Sequence, residues 1–249
     1  MIDLSEKVVL VTGSSQGIGA AIALTLAQAG ARVILHYGQS QDKAAEIAQQ
    51  TNGYLVQADL SQPGAAQILW QKAQAWQGNI DVIVNNAAIM PAAGVEDEWE
   101  VWTATWQTTL QVNLVAVADL CRCAISHFQS RQGGTIINIA SRAAFRGDGP
   151  EYMHYAASKG GVISLTRSIA RSFASDQILA YAVAPGFVLT ERTAAVMQEK
   201  GADSVTSDIP MGQPVPPQEV ANIVAFLASG LAPHATGSTF DINGASYLR

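Results

Sequence analysis

Short apolar runs alternate with longer segments of mixed polarity along the whole chain. Lys7–Thr12, Ala31–His36, Gly53–Gln57, Ile80–Val84, Thr135–Ala140, Leu179–Ala184 and Ser238–Ile242 are brief and rich in aliphatic or β-branched residues, and each predicts a strand. Between them, apolar positions recur every three or four residues. Ile18, Ala21, Ile22, Leu26 and Ala29, ending at Gly30, predict a first helix. Asp42–Thr51, Gly64–Trp76, Thr105–Phe128, Tyr152–Ala174 and Gln218–Ser229 predict five more. Residues 91–104, with proline, glycine and a run of acids, predict a loop with a helical turn. Residues 185–215 predict irregular chain with short helical pieces.

The alternation of strand and helix never breaks, which implies an α/β fold: one parallel sheet, doubly wound, with about seven strands and helices on both faces. No linker, low-complexity tract or long internal repeat interrupts residues 1–249, so the pattern predicts a single domain.

Composition sharpens this reading. Of 249 residues, 49% are hydrophobic and only 14% charged, against about 25% charged in a typical soluble chain. Such a chain is too apolar to stay disordered. It is also expected to bury surface against copies of itself. A net charge of −6 leaves no basic patch for nucleic acid. Apolar windows such as Ala20–Ala27 and Ile223–Ala228 fall short of the roughly 18 residues of a membrane span. The charged, mixed start Met1–Lys7 does not resemble a secretory signal. Cys121 and Cys123, two apart on a helix, do not face each other. They read as reduced thiols of a cytoplasmic protein, and no metal-ligand spacing is present.

Candidate chemistry begins after the first strand. Gly13, Gly17 and Gly19 lie in Thr12-Gly13-Ser14-Ser15-Gln16-Gly17-Ile18-Gly19, between strand and helix. Gly13 turns the chain, Gly17 lets a pyrophosphate approach the backbone, and Gly19 allows close helix packing. The helix N-terminus supplies amides for the phosphates. An ordinary tight turn is the alternative. The second strand ends His36-Tyr37-Gly38-Gln39-Ser40 without the acid that binds the ribose 2′-hydroxyl of NAD. NADP is therefore favoured over NAD, with Tyr37 and Ser40 beside its 2′-phosphate, although no basic residue precedes Lys43 in this loop. Asp59 and Leu60 follow the third strand, where Asp59 is placed to accept from the adenine amino group or to cap a turn. Asn85-Asn86-Ala87-Ala88 follows the fourth strand, either beside a cofactor or as a plain turn.

Tyr155 and Lys159 share a helix face at i and i+4. The ammonium, with a cationic nicotinamide, is expected to lower the phenol pKa from about 10 and make Tyr155 a general acid/base for carbonyl reduction. Ser141, ending the fifth strand, can hold the substrate oxygen. Asn113, an unusual mid-helix residue, is a candidate for holding a water near Lys159. Phe145, His154, Phe187 and Met197 are candidate pocket residues, closed over by residues 187–212.

Together these residues resemble the short-chain dehydrogenase/reductases over essentially the full length. The matching positions run in order: Thr12–Gly19, Asp59, Asn85–Ala88, Asn113, Ser141, Tyr155–Lys159, then Pro185, Gly186 and Thr190. The resemblance implies a Rossmann-type sheet and a catalytic tetrad of Asn113, Ser141, Tyr155 and Lys159. It implies cofactor contacts from Gly13, Ser15, Gln16, Gly17, Ile18, Gly19, Tyr37, Ser40, Asp59, Leu60, Asn86, Ala87, Ala88, Pro185, Gly186, Val188 and Thr190, with Lys159 also on the nicotinamide ribose. Ala88 stands where the family usually has glycine. The ending Thr236–Ala245 resembles that of 3-oxoacyl-acyl-carrier-protein reductases. Of the two basic residues those enzymes use to dock the carrier, Arg131 matches one, and the other place is taken by Asp176, which speaks against an acidic carrier protein. The expected partner is a small carbonyl or alcohol, and the expected assembly a homotetramer. A catalytically silent dinucleotide-binding regulatory module is the competing reading.

Overall fold

A computed structural model describes residues 2–249, except for the side chains of Lys200 and Ser204. Seven strands form one parallel sheet: β1 (Val8–Val11), β2 (Arg32–Tyr37), β3 (Tyr54–Gln57), β4 (Val82–Asn85), β5 (Gly134–Ile139), β6 (Ile178–Pro185) and β7 (Thr239–Ile242). Their order across the sheet is β3-β2-β1-β4-β5-β6-β7. The helices are α1 (Gly17–Gln28), α2 (Gln41–Thr51), α3 (Ala65–Gln77), α4 (Trp99–Leu110), α5 (Ala116–Gln129), α6 (Ala143–Arg146), α7 (Met153–Phe173), α8 (Glu191–Lys200), α9 (Ala202–Thr206) and α10 (Pro217–Ala228).

All four residues of β1 are buried, because successive side chains enter opposite cores. Val8 and Leu10 join a core with Leu69, Trp70, Leu120, Phe128 and Val162, from α3, α5 and α7. Val9 and Val11 join Ile22, Leu26, Val220 and Val224, from α1 and α10. This two-faced burial accounts for the unbroken apolar strands.

Two expectations are corrected. The stretch expected as a loop over 91–104 becomes helical at Trp99. Trp99, Trp102 and Trp106 supply a helical spacing that the neighbouring acids obscure. Helix 105–128 is also not a uniform α-helix, since Gln111–Val115 forms a π turn joining α4 to α5. The continuous helical run Trp99–Gln129 spans 31 residues, and an 18-residue window within it reaches a mean hydropathy of 1.2, enough by length and composition to cross a membrane. The sequence windows had not revealed it. Its buried residues Val117, Leu120, Cys121, Ala124 and Phe128 cover the sheet.

Register brings the strand ends level. Val11 is opposite Val84, Asn85 opposite Asn138, and Ile139 opposite Val183. The order reverses between β1 and β4, so the crevice for a ligand opens past the carboxyl ends of these two strands.

Candidate active site

Gly13 has φ +64°, and a Cβ there would meet Ala87 Cα at 2.9 Å. A Cβ at Gly19 would lie 2.1 Å from the Gly13 carbonyl oxygen and 2.5 Å from Asn86 Nδ2. The glycines thus serve a close crossing between the first turn and the β4 loop. The first intrahelical bond of α1 runs from the Ala20 amide to the Gln16 carbonyl, so the amides of Gly17, Ile18 and Gly19 precede the helical ladder. That cradle, which added side-chain atoms would fill, suits a dinucleotide diphosphate.

Three polar residues hold the turn. Thr12 Oγ1 accepts from the Asn86 and Ala87 amides at 2.9 and 3.0 Å. Asn86 Nδ2 donates to the Thr12 and Gly13 carbonyls at 2.9 and 3.0 Å. Its side chain is therefore a brace, leaving Ala87 and exposed Ala88 to edge the crevice. The third is His36, which sequence reasoning missed. Its Nδ1 accepts from the Gly13 amide at 3.1 Å and its Nε2 donates to the Ala58 carbonyl at 3.0 Å. Burial lowers its pKa to about 4, so the ring is neutral.

Tyr37 is half-buried, and Ser40 is exposed at the start of α2 with its hydroxyl making no capping bond. Asp59 Oδ1 accepts from the Ser61 amide and hydroxyl at 3.0 and 2.7 Å, which lowers its pKa and gives it the turn role left open by the sequence. Leu60 packs in the core. Lys43 reaches back to the glycine loop, with Nζ 3.3 Å from Gln16 Oε1 and 2.5 Å from Glu191 Oε2. A base absent from the loop by sequence is thus present in space.

Ser141 lies two residues past the end of β5 rather than closing it, and its Oγ accepts from the Ala143 amide at 3.1 Å. Tyr155 sits in the first turn of α7. The helix is fixed by a buried chain in which Asn85 donates to Asn138 and Asn138 to Thr166, at 2.8 and 2.9 Å. Lys159 is buried, and its Nζ donates to the Ile139 carbonyl at 2.8 Å and lies 5.8 Å from the Tyr155 ring centroid. The expected lowering of the phenol pKa is reversed among the protein's own groups. Burial raises it, the Ser141 hydroxyl lowers it, Asp148 raises it and Arg192 lowers it. Burial also lowers Lys159 to about 8.

The Asn113 side chain, within the π turn, is buried and faces protein groups, not solvent. Its Oδ1 accepts from the Ile89 amide at 2.9 Å, and its Nδ2 donates to the Ile89 carbonyl and Ser158 Oγ at 2.9 and 3.2 Å. It pins the β4 loop to α7.

Thr190 caps α8 in a reciprocal pair with Thr193. The Cβ direction of Gly17 points at the Thr190 methyl, at 3.2 Å. The Arg142 amide donates to the Pro185 carbonyl at 3.0 Å, and Gly186 crosses Asn243 so closely that a Cβ would meet its Cβ at 2.7 Å. Val188 is buried and bridges to Val215. Of the candidate pocket residues, Phe187 and Met197 are half-buried in the 187–212 segment. Phe145 stacks on Tyr247 at 5.9 Å. His154 is fully buried, with its ring edge-on to Trp106 of α4, and does not line an open pocket. Sequence reasoning also missed Arg192, whose Nη2 donates to the Met90 carbonyl at 2.9 Å across the cleft.

A family model described as enoyl-(acyl carrier protein) reductase matches residues 13–245. The chain is 36% identical over 252 aligned residues to a 3-oxoacyl-[acyl-carrier-protein] reductase of Escherichia coli K12, covering 99% of this chain and 100% of that protein. An NADP-bound 3-oxoacyl (acyl-carrier-protein) reductase of Agrobacterium tumefaciens C58 superposes with a TM-score of 0.89 at 34% identity, over 98% of this chain and 95% of that one. An angucycline C-6 ketoreductase bound to NADP superposes with a TM-score of 0.87 at 31% identity, over 98% and 96%.

Proposed function

The chain belongs to the short-chain dehydrogenase/reductase family, and we propose that Tyr155, Ser141 and Lys159 carry its chemistry on a fold pinned by Asn113. It is an NAD(P)-dependent oxidoreductase of the 3-oxoacyl-reductase type, interconverting a carbonyl and a secondary alcohol. The carrying observation is the meeting of Tyr155 and Ser141 beyond β5, with the Lys159 ammonium 5.8 Å from the phenol ring.

The dinucleotide, when bound, supplies or accepts the hydride. Ser141 Oγ orients the substrate oxygen, and Tyr155 Oη gives it a proton as the alcohol forms. The raised Tyr155 pKa keeps the phenol protonated near neutrality, which is the form that reduction consumes. Lys159 Nζ, anchored on the Ile139 carbonyl, holds positive charge under the ring and would hold the nicotinamide ribose. Residues 187–212 would close over the substrate and exclude water. No observation favours the silent regulatory module.

NADP preference is supported by Lys43, beside Gln16 and the unused Ser40 hydroxyl. A small-molecule substrate fits better than a carrier protein, since Asp176 at the carrier-docking place is a carboxylate, held by Gln129 at 2.7 Å. The two free thiols, Cys121 and Cys123, suit a cytoplasmic setting. Apolar residues left exposed on the Trp99–Gln129 helix support a homotetramer. The central test is Tyr155→Phe: turnover on any substrate found should fall at least about a thousandfold while NADPH still binds. Near-normal turnover overturns the mechanism.

A further inference from the structure

Arg192, exposed in the first turn of α8, has no ion-pair partner among the described residues. Among the described residues the ion pairs are Lys43–Glu191, Arg142–Asp208, Arg146–Asp208 and Arg249–Asp241. Two arginines near Ser141 share the single carboxylate of Asp208, while among the described residues Arg192 bonds a neutral carbonyl, that of Met90. This contact fixes its place. Met90 follows Ile89, which Asn113 clamps through both backbone polar groups. The guanidinium therefore spans from the first turn of α8 to a rigid loop, which Asn113 also ties to Ser158 on the catalytic helix α7. Asp148 acts on the Tyr155 phenol with the sign opposite to that of Arg192, and among the described residues it makes no ion pair with Arg192. A guanidinium has five donors in a planar fork, so one bond to Met90 leaves donors for a ligand.

We propose that Arg192 anchors a carboxylate on the substrate, so that the carbonyl compound reduced at Tyr155 is an oxo acid with a free acid group. The inference rests on the carbonyl–alcohol reaction assigned to Tyr155. A single unpaired guanidinium matches a monoanionic carboxylate, which it can grip through two parallel bonds. A phosphate dianion calls for a second cation beside the first, and Arg142 and Arg146 are held at Asp208 rather than at Met90 with Arg192. The acidic protein, with a net charge of −6, makes a local unpaired cation the determinant for such a substrate rather than a general field effect.

The test compares pyruvate, acetoacetate and levulinate with their methyl esters, using NADPH, on the wild type, Arg192→Met and Arg192→Lys. NADPH affinity is measured in parallel by fluorescence. In the wild type at least one acid should exceed its ester in kcat/KM by about tenfold or more. Arg192→Met should lower that acid-to-ester ratio by about 10- to 100-fold, and Arg192→Lys should restore part of it. NADPH affinity should stay within about twofold. Equal loss for acid and ester overturns the inference. So does a parallel loss of NADPH affinity, which would place Arg192 on the cofactor diphosphate. If no carbonyl compound turns over, the proposed reaction fails. The inference is then decided separately by thermal shift of the NADP-loaded enzyme with butyrate against methyl butyrate. A butyrate-specific rise that Arg192→Met removes supports it, and no such rise overturns it.

Discussion

His36 Nδ1 accepts the Gly13 amide, a bond that ties the end of β2 to the turn leaving β1. With Nε2 donating to Ala58, the ring is fixed as one neutral tautomer. Its native pKa of about 4 lies below the ordinary 6.5. Between these values the unfolded chain binds a proton that the native protein does not, so stability falls as pH drops from 6.5 toward 4. The full difference is about 3 kcal/mol. His127 and His154 are lowered too and steepen the same limb. Urea midpoints across pH 4–7 should show a shallower acid limb in His36→Gln, which should also be less stable at pH 7. Parallel limbs would refute the assignment.

Lys43 and Glu191 meet at 2.5 Å beside Gln16. If Lys43 serves the 2′-phosphate, Lys43→Gln should weaken NADPH binding about tenfold and leave NADH nearly unchanged. Glu191→Gln should tighten NADPH by releasing the ammonium. Titration by nucleotide fluorescence measures both, and equal losses for the two nucleotides would show that Lys43 does not discriminate.

Lys159 carries two opposite pH effects. Burial lowers its pKa from 10.5 to about 8. Between those values the unfolded chain holds more protons, so native stability rises with pH through this window. The ammonium that supports cofactor and phenol is lost over the same rise. NADPH affinity should therefore decline above about pH 8, and Lys159→Gln should be weaker at pH 7 with no break there. Isothermal titration at pH 6.5–9.5 checks it, and a wild-type profile flat through pH 8 would contradict it.

Trp99, Val101 and Val115 are 76%, 50% and 43% exposed along one helical run. Light scattering should report a tetramer, and Val115→Glu should shift it toward smaller species. A wild-type monomer at micromolar concentration would reject this assembly.

The strands were legible because each is buried on both faces, which leaves a run of valines and isoleucines with no polar interruption. Tyr155 and Lys159 were legible because helix geometry places i and i+4 together. The bracing roles of His36, Thr12 and Asn86 were not, because their partners lie 22 to 75 residues away in the chain. Local patterning cannot report such distant pairings. Asn113 was singled out correctly as an uncomfortable helical residue, but its bonds to Ile89 depend on a π turn that no periodicity announces. The direction of the phenol shift among the protein's own groups was not legible, because the burial of Tyr155 and Lys159 depends on distant packing.

The first turn of α8 fastens to two walls at once, with Glu191 on Lys43 and Arg192 on Met90. Adjacent residues of opposite charge thus stitch the segment over the crevice from both sides. Because the two bonds are separate, breaking one leaves the segment hinged on the other.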